Sequence, residues 1–299
     1  LNVARLPESP AALAGQVVAA HGRHYLVEAG TGEITRAVPR GKRSDIACGD
    51  RVRGIRTGPS DAVIETHEPR STLLLRAAPH RRKLIAANAT QIAVITAGEP
   101  SLSDELLCRI LVAAEAQTMR AVVVLNKCDL PGPTSTARER LAPFVLAGYP
   151  VVELSALGDV HRLRERLRGE TTVLIGQSGM GKSTLVNALM PAADAATREI
   201  SRFLDSGRHT TSATRLYRLD RASAIIDSPG VQAFGLAHLD ALAIARAFPE
   251  VREHLGRCRF GDCRHRAEPG CAVQEAVARG LVHPRRLELL HRILDAERR

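Results

Sequence analysis

Gly176-Gln177-Ser178-Gly179-Met180-Gly181-Lys182-Ser183 follows the apolar run Thr172 to Ile175 and precedes the helical stretch Thr184 to Met190. The octapeptide fits G-x-x-x-x-G-K-S, a phosphate loop, and it stands where such a loop must, between a strand and a helix. Its glycines let successive backbone N–H groups turn toward an anion at a helix N-terminus, where amide donors lack intrahelical partners and the helix dipole favours negative charge. Lys182 is expected to reach the β- and γ-phosphates of a nucleotide and Ser183 to ligate Mg2+, with Gly176 to Ser183 and the adjoining Thr184 as the phosphate-binding set.

Working outward, apolar strands alternate with helical stretches: Ile92 to Thr96, Ala121 to Leu125, Val151 to Leu154, Thr172 to Ile175 and Ala224 to Ile226, with amphipathic segments such as Asp104 to Gln117 between them. This alternation predicts a parallel sheet with helices on both faces. Ligands of such sheets bind at the carboxyl ends of the strands, and the polar signatures fall there. Asn126-Lys127-Cys128-Asp129 closes the strand Ala121 to Leu125 and resembles the guanine-specificity motif of the GTPase superfamily. The Asp129 carboxylate can accept from both N1–H and the exocyclic amine of guanine, and adenine offers neither donor there. Ser155-Ala156, at the end of Val151 to Leu154, resembles the turn whose backbone N–H meets the guanine carbonyl oxygen. Asp227-Ser228-Pro229-Gly230 resembles the Asp-x-x-Gly of switch II, with Asp227 directed to Mg2+ through water and the Gly230 N–H to the γ-phosphate. Gly207-Arg208-His209-Thr210-Thr211-Ser212 is placed to act as switch I. One of its two threonines is expected on Mg2+, with Thr211 the candidate beside Ser183 and Thr210 the alternative.

The order of these motifs is informative. Asn126 to Asp129 and Ser155-Ala156 precede the phosphate loop, whereas ordinary GTPases place them after it, so the domain reads as circularly permuted. Such a rearrangement preserves a site while moving the chain ends, and here it puts the C-terminal segment directly after switch II. Val231 occupies the position where many GTPases carry a water-orienting glutamine. Gln232 is one residue off, and His209 ranks above it as the water-positioning group, which predicts slow intrinsic hydrolysis that depends on a partner.

Three of the six cysteines, Cys258, Cys263 and Cys271, crowd around His265 in the spacing C-x4-C-x-H-x5-C. Three thiolates and one imidazole suit a closed tetrahedral zinc site with a structural role. Upstream, Gly15 to Val27, Thr35 to Val38, Arg51 to Ile55 and Ala62 to Thr66 read as short strands of a small barrel, most simply an oligonucleotide-binding (OB) barrel. The following stretch, with Arg76 and His80-Arg81-Arg82-Lys83 and no acidic residue between Glu68 and Glu99, reads as a basic, exposed connector. Beyond Phe234 the strand signal stops, and His283 to Glu297 reads as a last helix. The expected architecture is therefore multi-domain: an N-terminal β-barrel (1–69), a central α/β P-loop GTPase domain (70–236) and a C-terminal, mainly helical zinc-binding domain (237–299).

The 299 residues carry 42 Lys and Arg against 32 Asp and Glu, a net +10 that favours a polyanionic partner. No stretch approaches the roughly 18 apolar residues of a membrane span, and the first residues lack a charged start followed by an apolar run, which predicts a cytoplasmic location. Without an apolar stripe or heptad pattern the expectation is a monomer.

Together these residues resemble the RsgA (YjeQ) family of circularly permuted GTPases of small ribosomal subunit biogenesis, across nearly the whole chain. The resemblance implies GTP with Mg2+ as substrate and reaction cofactor, one structural zinc ion, and a late assembly role on the 30S subunit and its 16S rRNA, with hydrolysis stimulated by the subunit. It also implies that His209 is the catalytic group beside Lys182. Ser212 stands where the family commonly has a third threonine, and Asn88-Ala89-Thr90-Gln91 departs from its usual Asn-Val-Asp-Gln. The competing readings are a small-molecule kinase or ATPase with a zinc staple, and an RNA-binding scaffold that uses GTP only to fix its conformation.

Overall fold

The computed structural model describes residues 12–41, 45–78, 81–190 and 213–297. Five strands, β1 (Ala12–His21), β2 (His24–Glu28), β3 (Ile34–Pro39), β4 (Arg51–Arg56) and β5 (Asp61–His67), pair in the order β1-β2-β3-β5-β4 and close through β1 against β4. Only β3 and β5 run parallel. Closure removes the sheet edges, and the inward residues Leu13, Val17, Tyr25, Val27, Ala37, Val52, Ala62 and Ile64 fill the interior. The expected barrel is present. The single run read from Gly15 to Val27 is two strands, turning at Gly22 with φ +59°.

The basic stretch after the barrel is not the expected exposed connector. It forms a hairpin, β6 (Leu73–Ala78) with β7 (Arg81–Ala87), whose Leu74, Ala77, Ile85, Ala86 and Ala87 are buried. Its charges decided the sequence reading, while these buried apolar residues decide the fold. Asn88 then stitches barrel to GTPase sheet: its Nδ2 donates to Gly49 O at 3.1 Å and its Oδ1 accepts from Ser71 N at 2.9 Å. Nearby, fully buried Asp50 receives Arg70 Nε at 2.7 Å.

Six further strands, β8 (Gln91–Ala97), β9 (Arg120–Asn126), β10 (Val151–Glu153), β11 (Thr171–Gly176), β12 (Thr214–Arg218) and β13 (Ala224–Asp227), lie in the order β10-β9-β8-β11-β13-β12. All are parallel except β12, which runs antiparallel to β13 and pairs through Ala19 and Ala20 with β1 of the barrel. Every residue of β8 is buried, as a central strand covered on both faces requires. Helices α1 (Asp104–Glu115), α2 (Pro131–Leu146), α3 (His161–Leu167) and α4 (Lys182–Leu189) connect the strands, and Ser103 caps α1 by accepting from Leu106 N.

After β13 the described residues hold four helices and no strand: α5 (Ala241–Arg246), α6 (Pro249–Arg252), α7 (Ala272–Ala278) and α8 (Pro284–Glu297). The buried stripe of α8, Leu287, Leu289, Leu290 and Ile293, shares one core with Ile110 and Leu111 of α1 and Phe144 of α2. On that stripe sits Arg286, 1% exposed. Its guanidinium carbon lies 4.5 Å from the Phe248 ring centre, 4.9 Å from Phe144 and 5.7 Å from Tyr149. Nε donates to Glu250 at 2.6 Å, and Nη1 to Cys108 Sγ at 3.2 Å. One cation thus joins α8 to α1, α2 and α6 by dispersion, cation–π attraction and a desolvated ion pair. Arg286→Ala is expected to cost about 3–5 kcal/mol, because it strands the buried Glu250 carboxylate, whereas Arg286→Met with Glu250→Gln removes both charges and recovers most of the loss. Urea unfolding of both variants checks this. Equal losses would place the cost in packing instead.

Candidate functional site

The carboxyl ends of β8, β9, β10, β11 and β13 lie along one edge of the sheet, and the nucleotide-directed motifs gather there although they are separated by up to a hundred residues in sequence. Strand β11 ends at Gly176 and α4 begins at Lys182, with Gly181 as its N-cap at φ +83°. A Cβ on Gly181 would overlap Asn126 Nδ2, and one on Gly176 would stand 2.7 Å from Ile95 O, so both positions exclude side chains. Ser183 and Thr184 are exposed in the first turn of α4, open to an anion or ion at its N-terminus.

Asn126 is 1% exposed and organises the site. Its Nδ2 donates to Met180 O at 2.9 Å, and its Oδ1 accepts from Ala156 N at 2.9 Å. One amide therefore ties the phosphate loop, the base strand and the Ser155-Ala156 turn together. An aspartate there would set an acceptor against the Met180 carbonyl. Lys127, at φ +63°, extends alongside Gly181 and donates to Glu99 O at 2.9 Å. Cys128 N donates to Leu154 O at 3.1 Å, so Asp129 and Ser155 each follow a residue of one shared hydrogen bond. Asp129 is exposed and its carboxylate pairs with no described residue, leaving it available to a base.

Across the phosphate loop, Lys182 Nζ is paired with Asp227 Oδ1, the two side chains 11% and 19% exposed. The buried Ser228 donates from Oγ to Leu174 O at 2.9 Å, and Val231 N donates to Gly176 O at 3.0 Å. Gly230 between them lies against Ser178, its Cβ direction meeting Ser178 Cα at 3.6 Å. The Asp227 to Val231 turn thus rests on the end of β11 and on the phosphate loop. Val231 is 5% exposed and apolar, so the position of a water-orienting glutamine holds a core residue, and Gln232 points outward. The switch I candidates Gly207 to Ser212, including His209, Thr210 and Thr211, lie outside the described residues. Sequence reasoning missed the Ser228 hydroxyl and the Glu99 carbonyl, both of which act through partners distant in sequence.

A second cluster lies between α6 and α7. Nδ1 of His265 stands 3.4, 3.5 and 3.4 Å from the sulphurs of Cys258, Cys263 and Cys271, and Cys258 Sγ is 3.9 Å from Cys271 Sγ. A tetrahedral zinc ion with ordinary bond lengths sets S···S near about 3.8 Å and S···N near about 3.5 Å, so the donor set fits such an ion. Burial lowers the His265 pKa and so favours the neutral ligand form. Burial and the neighbouring thiols push Cys263 up to about 12, a cost that a central cation reverses. His265 holds φ +60°, and its backbone N–H donates to Cys263 Sγ at 3.4 Å.

A cleft of about 600 Å3, lined by Gln91, Arg120, Tyr149 and Arg252 among others, opens at the opposite, amino end of β8 and β9 and takes no part in this arrangement.

A phosphate-loop sequence, an Asn-Lys-x-Asp loop and an Asp-x-x-Gly turn on one edge of this sheet, met in permuted chain order, define a circularly permuted P-loop GTPase. The model of the RsgA GTPase family matches residues 67–237. A relative from Nitrosospira multiformis is 49% identical over 282 residues, covering 94% of this chain and 90% of its own. One from Burkholderia pseudomallei strain K96243 is 51% identical over 290 residues, covering 94% and 92%. Both are named small ribosomal subunit biogenesis GTPase RsgA. The crystal structure of YjeQ from Thermotoga maritima aligns with TM-score 0.73 at 28% identity over 96% of this chain and 99% of that one. That of YloQ, described as a circularly permuted GTPase, shares the fold with TM-score 0.68 at 23% identity over 99% and 98%. The chain belongs to the RsgA GTPase family.

Proposed function

We propose that this chain hydrolyses GTP as a late assembly factor of the small (30S) ribosomal subunit, acting in the cytoplasm as a monomer and contacting 16S rRNA. The observation that carries the enzymatic part is Asn126, whose single amide holds the phosphate loop and the guanine-reading turn in one frame. The subunit as partner is supported by the name that relatives at 49% and 51% identity carry, and by a net charge of +10 suited to a polyanion.

In this reading Gly176 to Thr184 cradle the phosphates, while Asp129, Ser155 and Ala156 read the base and Lys127 packs beside it. Bound Mg2+ neutralises charge on the β- and γ-phosphates. Ser183, Asp227 and one of Thr210 and Thr211 would hold it, with Thr211 the candidate. Before nucleotide binds, Lys182 and Asp227 neutralise each other, so neither half-buried charge is stranded. Gly230 N–H meets the γ-phosphate, and His209 orients the attacking water in place of the apolar Val231. Cys258, Cys263, His265 and Cys271 hold one structural zinc ion. The domain limits 1–69, 70–236 and 237–299 belong to the same proposal.

Phosphate release from GTP and from ATP, with and without 30S subunits, tests it. Stimulation confined to GTP and lost in Lys182→Ala and His209→Ala is expected. Turnover of ATP at the same rate would defeat the guanine reading, and GTP turnover indifferent to the subunit would remove the ribosome from it.

A further inference from the structure

Switch II is anchored at both ends. Its start rests on β11 through Ser228 and on the first residue of the phosphate loop through Val231, and its far end meets the β6 hairpin strand: Ala77 N donates to Gly235 O at 2.9 Å and Ala237 N donates to Ala77 O at 3.2 Å. Such pairing leaves the Leu236 N–H, in between, facing away from β6. Glu297 of α8 takes it up, Oε1 accepting from Leu236 N at 3.2 Å. The same oxygen receives Arg109 Nη1 of α1, while Arg109 Nε donates to Glu105 at 2.9 Å. Arg109 and Glu297 are only 12% and 13% exposed.

Helix stability gives no reason for this glutamate. An acidic side chain in the last turn faces the negative end of the helix dipole, and the last turn of α8 has no basic residue to offset it. What the carboxylate gains there is the Leu236 amide and the Arg109 guanidinium. We infer that Glu297 is a positioning residue for switch II, fixing from the C-terminal helix the point at which the γ-phosphate-sensing loop returns to rigid structure. Between the Gly230 contact with the phosphate loop and the Leu236 anchor lie five residues, of which Val231 and Phe234 are buried. A loop this short, held at both ends, passes a displacement of Gly230 to α8 instead of absorbing it. The inference rests on the GTPase reading of the site, and makes the response of switch II to triphosphate dependent on a residue that touches no nucleotide.

The test uses the full metal-loaded chain and two variants, Glu297→Ala and the isosteric Glu297→Gln, which keeps an acceptor for Leu236 but loses the charge facing Arg109. Hydrogen exchange of residues 228–239 and of α8 is followed with GDP and with the imidotriphosphate analogue of GTP, and both affinities are measured. Losing a charge-assisted hydrogen bond predicts exchange at 228–239 faster by about tenfold or more in Glu297→Ala, and less in Glu297→Gln. The analogue-to-GDP affinity ratio is expected to fall several-fold with GDP affinity unchanged, and the analogue-induced change in α8 exchange to vanish. An unchanged ratio together with an unchanged α8 response in Glu297→Ala overturns the inference and leaves a local tie. A wild-type chain that binds neither nucleotide refutes the GTPase reading instead, so the two failures are distinct.

Discussion

Asp129→Asn is expected to weaken GTP binding by about two to four orders of magnitude and to strengthen xanthosine triphosphate binding by a comparable factor. In the proposed site the carboxylate accepts from N1–H and from the 2-amino group of guanine, two charge-assisted bonds worth about 1.5–3 kcal/mol each. An amide at 129 offers one acceptor and one donor. Its NH2 opposes the 2-amino group of guanine but matches the 2-carbonyl of xanthine, so the preference inverts. Because Asp129 is exposed and pairs with no described residue, the substitution leaves the melting temperature in place. Asn126→Ala makes the contrast: it frees Met180 O and Ala156 N together and weakens every nucleotide alike. Competition binding with GTP, ATP and xanthosine triphosphate measures both. A variant that keeps wild-type GTP affinity would show that Asp129 does not read the base.

The phosphate-loop sequence and the Cys3His spacing were legible because their constraints are local. A backbone that turns on an anion needs glycines at fixed spacing, and a closed metal site needs four donors within a short span, so both leave patterns in the chain itself. Strands β8, β9, β11 and β13 were legible as apolar runs because burial on both faces erases alternation. The hairpin β6–β7 was not, since four basic positions at 80–83 outweighed the apolar residues Leu74, Ala77 and Ile85 to Ala87, which follow no clean two-residue alternation. Helix α2 opens on Pro131-Gly132-Pro133, which reads as a turn, although proline is tolerated in the first turn of a helix because its missing N–H has no partner there. Strand β12 is a five-residue piece held by β13 and by the barrel, partners that no local pattern names. Arg286 left a trace: it falls at helical spacing from Leu289, Leu290 and Ile293, a lone cation on an apolar stripe. Only the three aromatic rings and Glu250, distant in sequence, turn that trace into a buried joint. The Glu297 contact is of the same kind, since neither Leu236 nor Arg109 is near it in the chain.

With zinc held by the Cys3His cluster as proposed, its removal is expected to unfold residues 257–271 and leave the barrel and the nucleotide site folded. In that segment Cys271 alone is buried and Phe260 is 43% exposed, so apart from the cysteines themselves the segment adds little to the apolar core. What holds it besides the Cys3His donors is a handful of hydrogen bonds, such as Arg259 N to Gly270 O at 2.9 Å, and the Glu268 carboxylate, kept at about 2 by backbone N–H groups of its own loop. Structural zinc contributes about 10–16 kcal/mol in small domains of this kind, far more than such a loop can replace. Helices α7 and α8 have a different fate, because Val273, Ala276, Leu287, Leu290 and Ile293 belong to the core shared with the GTPase domain. Chelation or Cys263→Ala should therefore open protease sites within 257–271 and abolish one bound metal ion per chain, while GTP binding persists. Serine at Cys48, Cys108 or Cys128, none of which lies in the donor cluster, should leave the metal content intact. Full metal occupancy in Cys263→Ala, or a proteolytic pattern blind to chelation, would show that the four side chains are packed together for another reason. Loss of GTP binding on chelation would instead mean that the cluster supports the sheet edge at long range, through the core that α8 shares with α1.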